Sequence, residues 1–464
     1  MQPVMTKDNP DSKSVAVATL GCKVNQFDSA ALQSGFVEQG ATLVDFNQPA
    51  DVYVINTCTV TAKAAAQSRQ LIRRAQRANP RARIVVTGCY AQISPDSIRK
   101  IIPATARIVD NSRKHLLVAA ALADTEQEES TAESAATPGD FGPAAKINLL
   151  PVKAFAGRTR AFLKIQDGCN NFCSYCIVPY ARGRSRSLLP AEVLRQAEVF
   201  SAAGYREMVI TGIHVGAYGQ DLQPRWSLLD ILSMLVGHLP AIRFRISSLE
   251  PTEISAALLQ FLAGTANVMP HLHVPLQSGD NGILRQMNRH YTTEDFAGII
   301  QDIRCHLPDA AIGADVLTGF PGEDETAFCN TRSLLAGLPV TYLHVFPYSR
   351  RPGTVAAGMD QQVDKTTKAK RVAELRNLST EKKAAFYTSQ LGTVRQVLVE
   401  GATRHDRLRR GFTENYIPVA CEAPVAAANQ LLRVKLTRLL ADGTVYAEVQ
   451  GEAEPAAGYS NNFL

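Results

Sequence analysis

The alternation of apolar and polar positions divides the chain into three stretches of different rhythm. Between residues 14 and 122, short β-branched runs alternate with stretches of helical periodicity, the pattern of βα units around a parallel sheet. Its clear strands, SVAVATLGC, DVYVINTC and RIVVTGC, each end in a cysteine: Cys22, Cys58 and Cys89. From residue 161 six further strand-like runs recur, AFLKIQ, EMVITG, RFRISS, HLHVPL, IGADVL and TYLHVF, separated by segments such as AEVLRQAEVFSAA and SLLDILSMLVGH with helical spacing. Six such units predict a partial (βα)6 barrel rather than a closed eight-stranded one. A long charged helical segment, TTKAKRVAELRNLSTEKKAAFYTSQL, then gives way over 393–450 to TVRQVLVE, RLRRGFT, NYIPVA, LLRVKLTR and TVYAEVQ. Five short strands are the count for a small OB-like β-barrel. The expected fold class is α/β: a parallel-sheet domain, a partial barrel and a C-terminal β-barrel.

Composition adds a boundary and a charge. The stretch 124–145 (DTEQEESTAESAATPGDFGPAA) carries six acids and no base among small polar residues, and reads as a flexible linker. The expected domains are 1–123, a linker over 124–150, 151–387 and 388–455. The chain has 464 residues and a net charge of +6, so without that acidic stretch it carries +12, compatible with a polyanion partner. The start, MQPVMTKDNPDSKS, has no apolar h-region, and no run approaches a membrane span. The expectation is a cytoplasmic protein with no membrane partner and no DNA partner. Nine cysteines in that setting point to metal where they cluster.

They cluster twice. Cys169, Cys173 and Cys176 form a CxxxCxxC loop directly after the first barrel strand. Soft thiolates select iron-sulfur or zinc over hard cations. Three ligands instead of four imply either a distant fourth cysteine or an iron left open for a substrate; a structural zinc knuckle is the plain alternative. Cys22, Cys58 and Cys89 end three strands of one expected sheet, where ligands gather at the carboxyl ends, so they can converge as a second trio. Cys305, Cys329 and Cys421 share no spacing and are assigned no chemistry; Cys305 and Cys329 sit in helical stretches where burial is the default. His273 and His344 lie inside apolar strands and are expected to be hydrogen-bonded core histidines.

The CxxxCxxC spacing, with TLGCKVNQFDS, INTCTVT, TGCYAQ, DVLTGFPGE and HVFPYSRRPGT, resembles the radical S-adenosylmethionine (SAM) methylthiotransferases. The resemblance implies two 4Fe-4S clusters, one on each trio, and SAM bound at the open iron of the first. It further implies a TIM-like radical SAM barrel and a C-terminal TRAM domain that binds RNA. By the same resemblance Tyr175 matches the aromatic beside the adenine of SAM, while Thr211, Gly212, Ser248 and Gln277 fall in loops that contact SAM. Thr211-Gly212 departs from the usual Gly-Gly-Glu-like spelling, and the contacts that survive this change are those of the backbone. Asn25 and Gln26 fall in the first motif, with helix capping as the plain alternative. Arg404, Arg407, Arg409 and Arg410, interleaved with Phe412 and Tyr416, offer charge and stacking faces to RNA, a solvated strand face being the alternative.

Within the family the wording is most like the MtaB branch, which methylthiolates threonylcarbamoyladenosine at position 37, in the anticodon loop of tRNA. An electron donor is then also implied. Two rival branches act on isopentenyladenosine in tRNA and on a ribosomal-protein aspartate, and a non-catalytic iron-sulfur RNA-binding protein is the rival from another class. The cysteines do not separate these branches.

Overall fold

The computed structural model describes residues 12–103, 105–123, 147, 151–400, 408–424 and 427–453. The expected linker therefore lies almost wholly outside the described residues. The chain packs as two units, one of residues 1–157, 164–189 and 349–357, the other of 158–163, 190–348 and 358–464.

The first unit holds a parallel sheet of β1 (Ser14–Thr19), β2 (Thr42–Val44), β3 (Val52–Thr57), β4 (Arg83–Gly88) and β5 (Arg107–Ile108), in the order β2-β1-β3-β4-β5. Alternate residues of these strands feed opposite cores. Val15, Val52, Val54 and Val85 pack on Leu32 and Phe36 of the helix Lys23–Glu38, while Tyr53, Ile55, Ile84 and Val86 pack on Ile72 and Ala75 of the helix Ala62–Ala78. With both faces covered the sheet is doubly wound, and its order reverses between β1 and β3, where such folds bind ligands. After β6 (Arg160–Lys164), the short antiparallel pair β7 (Gln166–Asp167) and β8 (Arg186–Ser187) frames the CxxxCxxC loop.

The second unit carries β9 (Glu207–Thr211), β10 (Arg243–Ile246), β11 (His271–His273), β12 (Ala311–Thr318) and β13 (Tyr342–Pro347) at the positions of the predicted runs. They form two three-stranded sheets, β10-β9-β6 and β11-β12-β13, joined where Met269 N donates to Phe244 O and Leu249 N to His273 O. The result is an open arc of six strands, not a closed ring. Capping boxes at Ser227 and Thr292 start the intervening helices Leu228–His238 and Thr293–His306. Beyond the helix Lys365–Ser389, β14 (Val394–Val399), β15 (Leu408–Thr413), β16 (Pro418–Glu422), β17 (Leu431–Leu439) and β18 (Val445–Glu452) close a barrel around Val397, Val419, Val434, Leu436 and Val445.

Candidate metal centres

Cys22 follows β1 as the cap of the helix Lys23–Glu38, Cys58 follows β3, and Cys89 follows β4 as the first residue of the helix Cys89–Ile93. Three adjacent strands thus deliver three thiols at one end of one sheet, beside the switch point. Gly88 has φ +93, and a Cβ there would meet Thr57 O at 2.4 Å, so no other residue fits before Cys89. Burial pushes the Cys58 thiol up to about 11 and raises that of Cys89, against which Arg182 pulls downward. Such thiols do not ionise alone. A soft metal centre removes their protons on binding, so this all-sulfur donor set fits an iron-sulfur cluster.

A buried charge cluster backs this trio. Asp28, on the helix that starts after Cys22, receives Lys114 at 2.8 Å and Lys164 at 3.0 Å, and lies 3.3 Å from Arg182. Arg182 also grips both carboxylate oxygens of Asp167, at 2.9 and 2.8 Å, and donates to Asn25 Oδ1. Burial alone would raise the Asp28 carboxyl, but Lys114, Lys164 and Arg182 together hold it well below the usual range. Three bases face two acids, which leaves one positive charge beside the thiols of Cys89 and Cys22. That surplus stabilises an anionic ligand set. Asn25 is 1 % exposed and donates to Leu20 O and Thr57 O, so the capping alternative for it is replaced by a structural role in this cluster. Arg182, Asp28 and Lys164 were not singled out from sequence; the spacing of Asn25 and Asp28 on one helical face was the available signal.

The second trio sits in a tight loop. Gly168 has φ +77 with the place of a Cβ only 2.0 Å from Arg184 O, and Cys169 N donates to Gly183 O at 3.1 Å. Cys176 N closes a turn onto Cys173 O at 2.9 Å, and Arg184 lies over the Phe172 ring at 4.5 Å. Residues 349–357 pack on the same loop, where Ala356 N donates to Ser174 O at 2.8 Å. All three thiols are partly exposed, as ligands of a reacting centre need to be. Tyr175 is half-buried in this loop.

In the second unit, Thr211 and Gly212 stand at the end of β9, Ser248 just beyond β10 and Gln277 beyond β11, all at the carboxyl end of the arc. Thr211 Oγ1 and Ser247 Oγ are buried without hydrogen-bond partners among the described residues, whereas Ser248 is exposed. Gln277 has φ +66, held by Gln277 N donating to Asp315 O and Leu317 N donating to Gln277 O.

The expected RNA-contacting group divides. Arg404 and Arg407 lie outside the described residues. Arg409 is 8 % exposed, packed into the barrel and not free for phosphate. Arg410 is exposed and reaches Asp442 at 3.4 Å. Phe412 and Tyr416 stack on each other at 4.8 Å, with Arg160 over Phe412 at 4.8 Å, Arg245 over Tyr416 at 4.8 Å and His271 against Tyr416 at 4.3 Å. Their faces are taken by residues of the arc, which corrects their reading as open stacking surfaces. His273 is buried and hydrogen-bonded as expected, but His344 has a half-exposed side chain and is not a core residue. Cys421 is buried, while Cys305 is exposed and Cys329 only partly covered, so the expected burial of these two fails.

The two cysteine centres and the open arc define a radical SAM enzyme. Residues 163–335 match the Radical SAM superfamily, and residues 14–110 match the family described as "Uncharacterized protein family UPF0004". The fold is that of a radical S-adenosylmethionine methyltransferase, TsrM, from Kitasatospora setae, with TM-score 0.55 and 15% identity over 75% of each chain. The threonylcarbamoyladenosine tRNA methylthiotransferase MtaB of Bacillus subtilis is 40% identical over 92% of this chain and 94% of its own. A tRNA-2-methylthio-N(6)-dimethylallyladenosine synthase of Maricaulis maris is 30% identical over 91% of this chain and 94% of its own. The chain belongs to the MtaB-type radical SAM methylthiotransferases.

Proposed function

We propose that the protein converts threonylcarbamoyladenosine in tRNA to its 2-methylthio derivative, with two 4Fe-4S clusters and SAM as cofactors. The reading rests on the 40% identity to the Bacillus subtilis enzyme over 92% of this chain. Cys169, Cys173 and Cys176 would hold the cluster that meets SAM; Cys22, Cys58 and Cys89 would hold the auxiliary one. When bound, these groups supply a carbon-centred radical able to take hydrogen from a C–H bond too weakly acidic for any side-chain base, together with the sulfur that replaces it.

The residues of this chain do the rest. Gly88 and Gly168 let the backbone present Cys89 and Cys169, and the Asp28–Arg182 cluster supplies the compensating charge. Tyr175, Thr211, Gly212, Ser248 and Gln277 are the candidates for holding SAM, the last four at one end of the arc. The C-terminal β-barrel serves as a TRAM domain, with Arg404, Arg407 and Arg410 as its candidates for phosphate. An electron donor completes the set of partners; DNA is not among them. No described helix is long and apolar enough to cross a membrane, and the expected compartment is the cytoplasm.

Mass spectrometry of nucleosides after anaerobic reconstitution with SAM, reductant and tRNA tests this. Methylthio-threonylcarbamoyladenosine is the expected product. Methylthiolated isopentenyladenosine alone would move the chain to the rival tRNA branch. Cys173→Ala should abolish SAM cleavage and leave RNA binding intact; SAM cleavage at the original rate would overturn the assignment of that cluster.

A further inference from the structure

The inner face of the strand arc carries a polar cluster that none of the roles above uses. Along β13 the side chains alternate: Leu343 and Val345 are buried, and Ser379 of the helix Lys365–Ser389 hydrogen-bonds the Leu343 backbone at the strand's free edge. His344 and Phe346 therefore point the other way, into the open concave face, with the His344 side chain 52% and Phe346 46% exposed. On the neighbouring strands His273 and Asp315 share that face. His273 Nε2 lies 2.8 Å from Asp315 Oδ1, and His344 Nδ1 lies 3.4 Å from the same oxygen. Behind them Tyr342 OH sits 3.3 Å from His273 Nδ1 and 2.7 Å from His271 Nε2.

This arrangement has a direction. Asp315 is ionised: burial pushes its carboxyl up, but the hydrogen bonds from His273 and His344 outweigh that and hold it well below the usual range. Its oxygen takes the Nδ1 side of His344, so the Nε2 side faces the open space, where among the described residues it has no partner. With Asp315 at one ring nitrogen, an anionic group brought to the other can be met by an N–H from each side of the same imidazole. Beside it stands the Phe346 ring, at 6.4 Å and nearly perpendicular. A hydrogen-bond donor next to an aromatic face matches a flat base with an anionic appendage.

Under the substrate reading above, on which this step rests, the target adenine carries a threonyl group with a free carboxylate. The rival substrate carries a hydrocarbon group at the same nitrogen. We propose that His344, oriented by Asp315 and His273, recognises that carboxylate and so selects the threonylcarbamoyl base. A hydrocarbon in this position would cover the His344–Asp315 pair without offering it a polar partner, and sites built to hydrogen-bond a polar group reject analogues that lack it. His344 is the residue that touches substrate; Asp315 and His273 are positioning residues.

The test uses the full chain and three anticodon stem-loop RNAs, bearing threonylcarbamoyladenosine, the same base with its carboxylate converted to the amide, and plain adenosine. Binding is read by fluorescence anisotropy, with no turnover. The wild type should prefer the carboxylate over the amide by roughly tenfold or more, the size of a charge-assisted hydrogen bond. His344→Gln and Asp315→Asn should reduce that preference to less than about twofold while affinity for the adenosine RNA, which reports the intact fold, stays unchanged. A His344→Gln protein that keeps the full preference overturns the proposal alone. A wild type indifferent to all three RNAs overturns both the proposal and the substrate reading.

Discussion

Arg182 and Glu207 show how buried charges are held in each unit. Arg182 is 2 % exposed and binds Asp167, Asp28 and Asn25 at once. Arg182→Met keeps the bulk and removes the charge, leaving buried carboxylates undercompensated, so a loss of about 3–5 kcal/mol is expected in denaturant unfolding. Arg182→Lys should recover less than half of it, because an ammonium lacks the planar fork that grips Asp167. Glu207 is surrounded by Arg245 at 3.0 Å, Arg243 at 3.2 Å and Arg160 at 3.9 Å. Burial alone would raise its carboxyl, but the three arginines bring it from 4.5 down to about 2. Since the folded value is the lower one, the stability it contributes is complete above pH 4.5 and is lost as pH falls to about 2. The stability gap between wild type and Glu207→Gln should therefore narrow on acidification through that window; a constant gap would contradict this. The cysteines were legible because their motifs are local and their chemistry is narrow. The Arg182–Asp28 contact was not, since it joins residues 154 apart, and no spacing rule reports such a pairing.

At the scale of elements, strand ends and the residues before the cysteines decide whether the metal centres form. Gly88→Ala places a methyl against the Thr57 carbonyl and Gly168→Ala one against the Arg184 carbonyl, each at positive φ. Each variant should reconstitute with about half the iron of the wild type, losing the cluster beside the substituted glycine and keeping the other. Iron per chain and visible absorbance check this; full iron content in both variants would show that the loops adjust. The six strands of the arc were readable from apolar runs because buried parallel strands need continuous apolar residues. The orientation of His344 was not readable. Its strand is apolar on both sides in sequence, and only the burial of Leu343 and Val345 beside exposed His344 and Phe346 reveals which face is open.

For the whole molecule, the C-terminal barrel bears on the arc through Tyr416 and Phe412. Tyr416→Ala should lower stability by about 2 kcal/mol, from lost packing and cation–π contacts, while changing RNA affinity at fixed salt by less than about twofold. A large affinity loss with unchanged stability would restore the stacking role. The fold of this barrel was legible from five short strands, yet its aromatic residues were misread because a ring that stacks on arginine and one that stacks on a base look alike in sequence.

The position of Arg182 also sets an order of events during synthesis. The first three cysteines and their sheet leave the ribosome within the first 123 residues, but two of the three bases around their site, Lys164 and Arg182, come later, on either side of the second cysteine trio. The nascent amino-terminal domain therefore holds its ligands before it holds their charge compensation. The segment that carries the second trio thus completes the charge surroundings of the first.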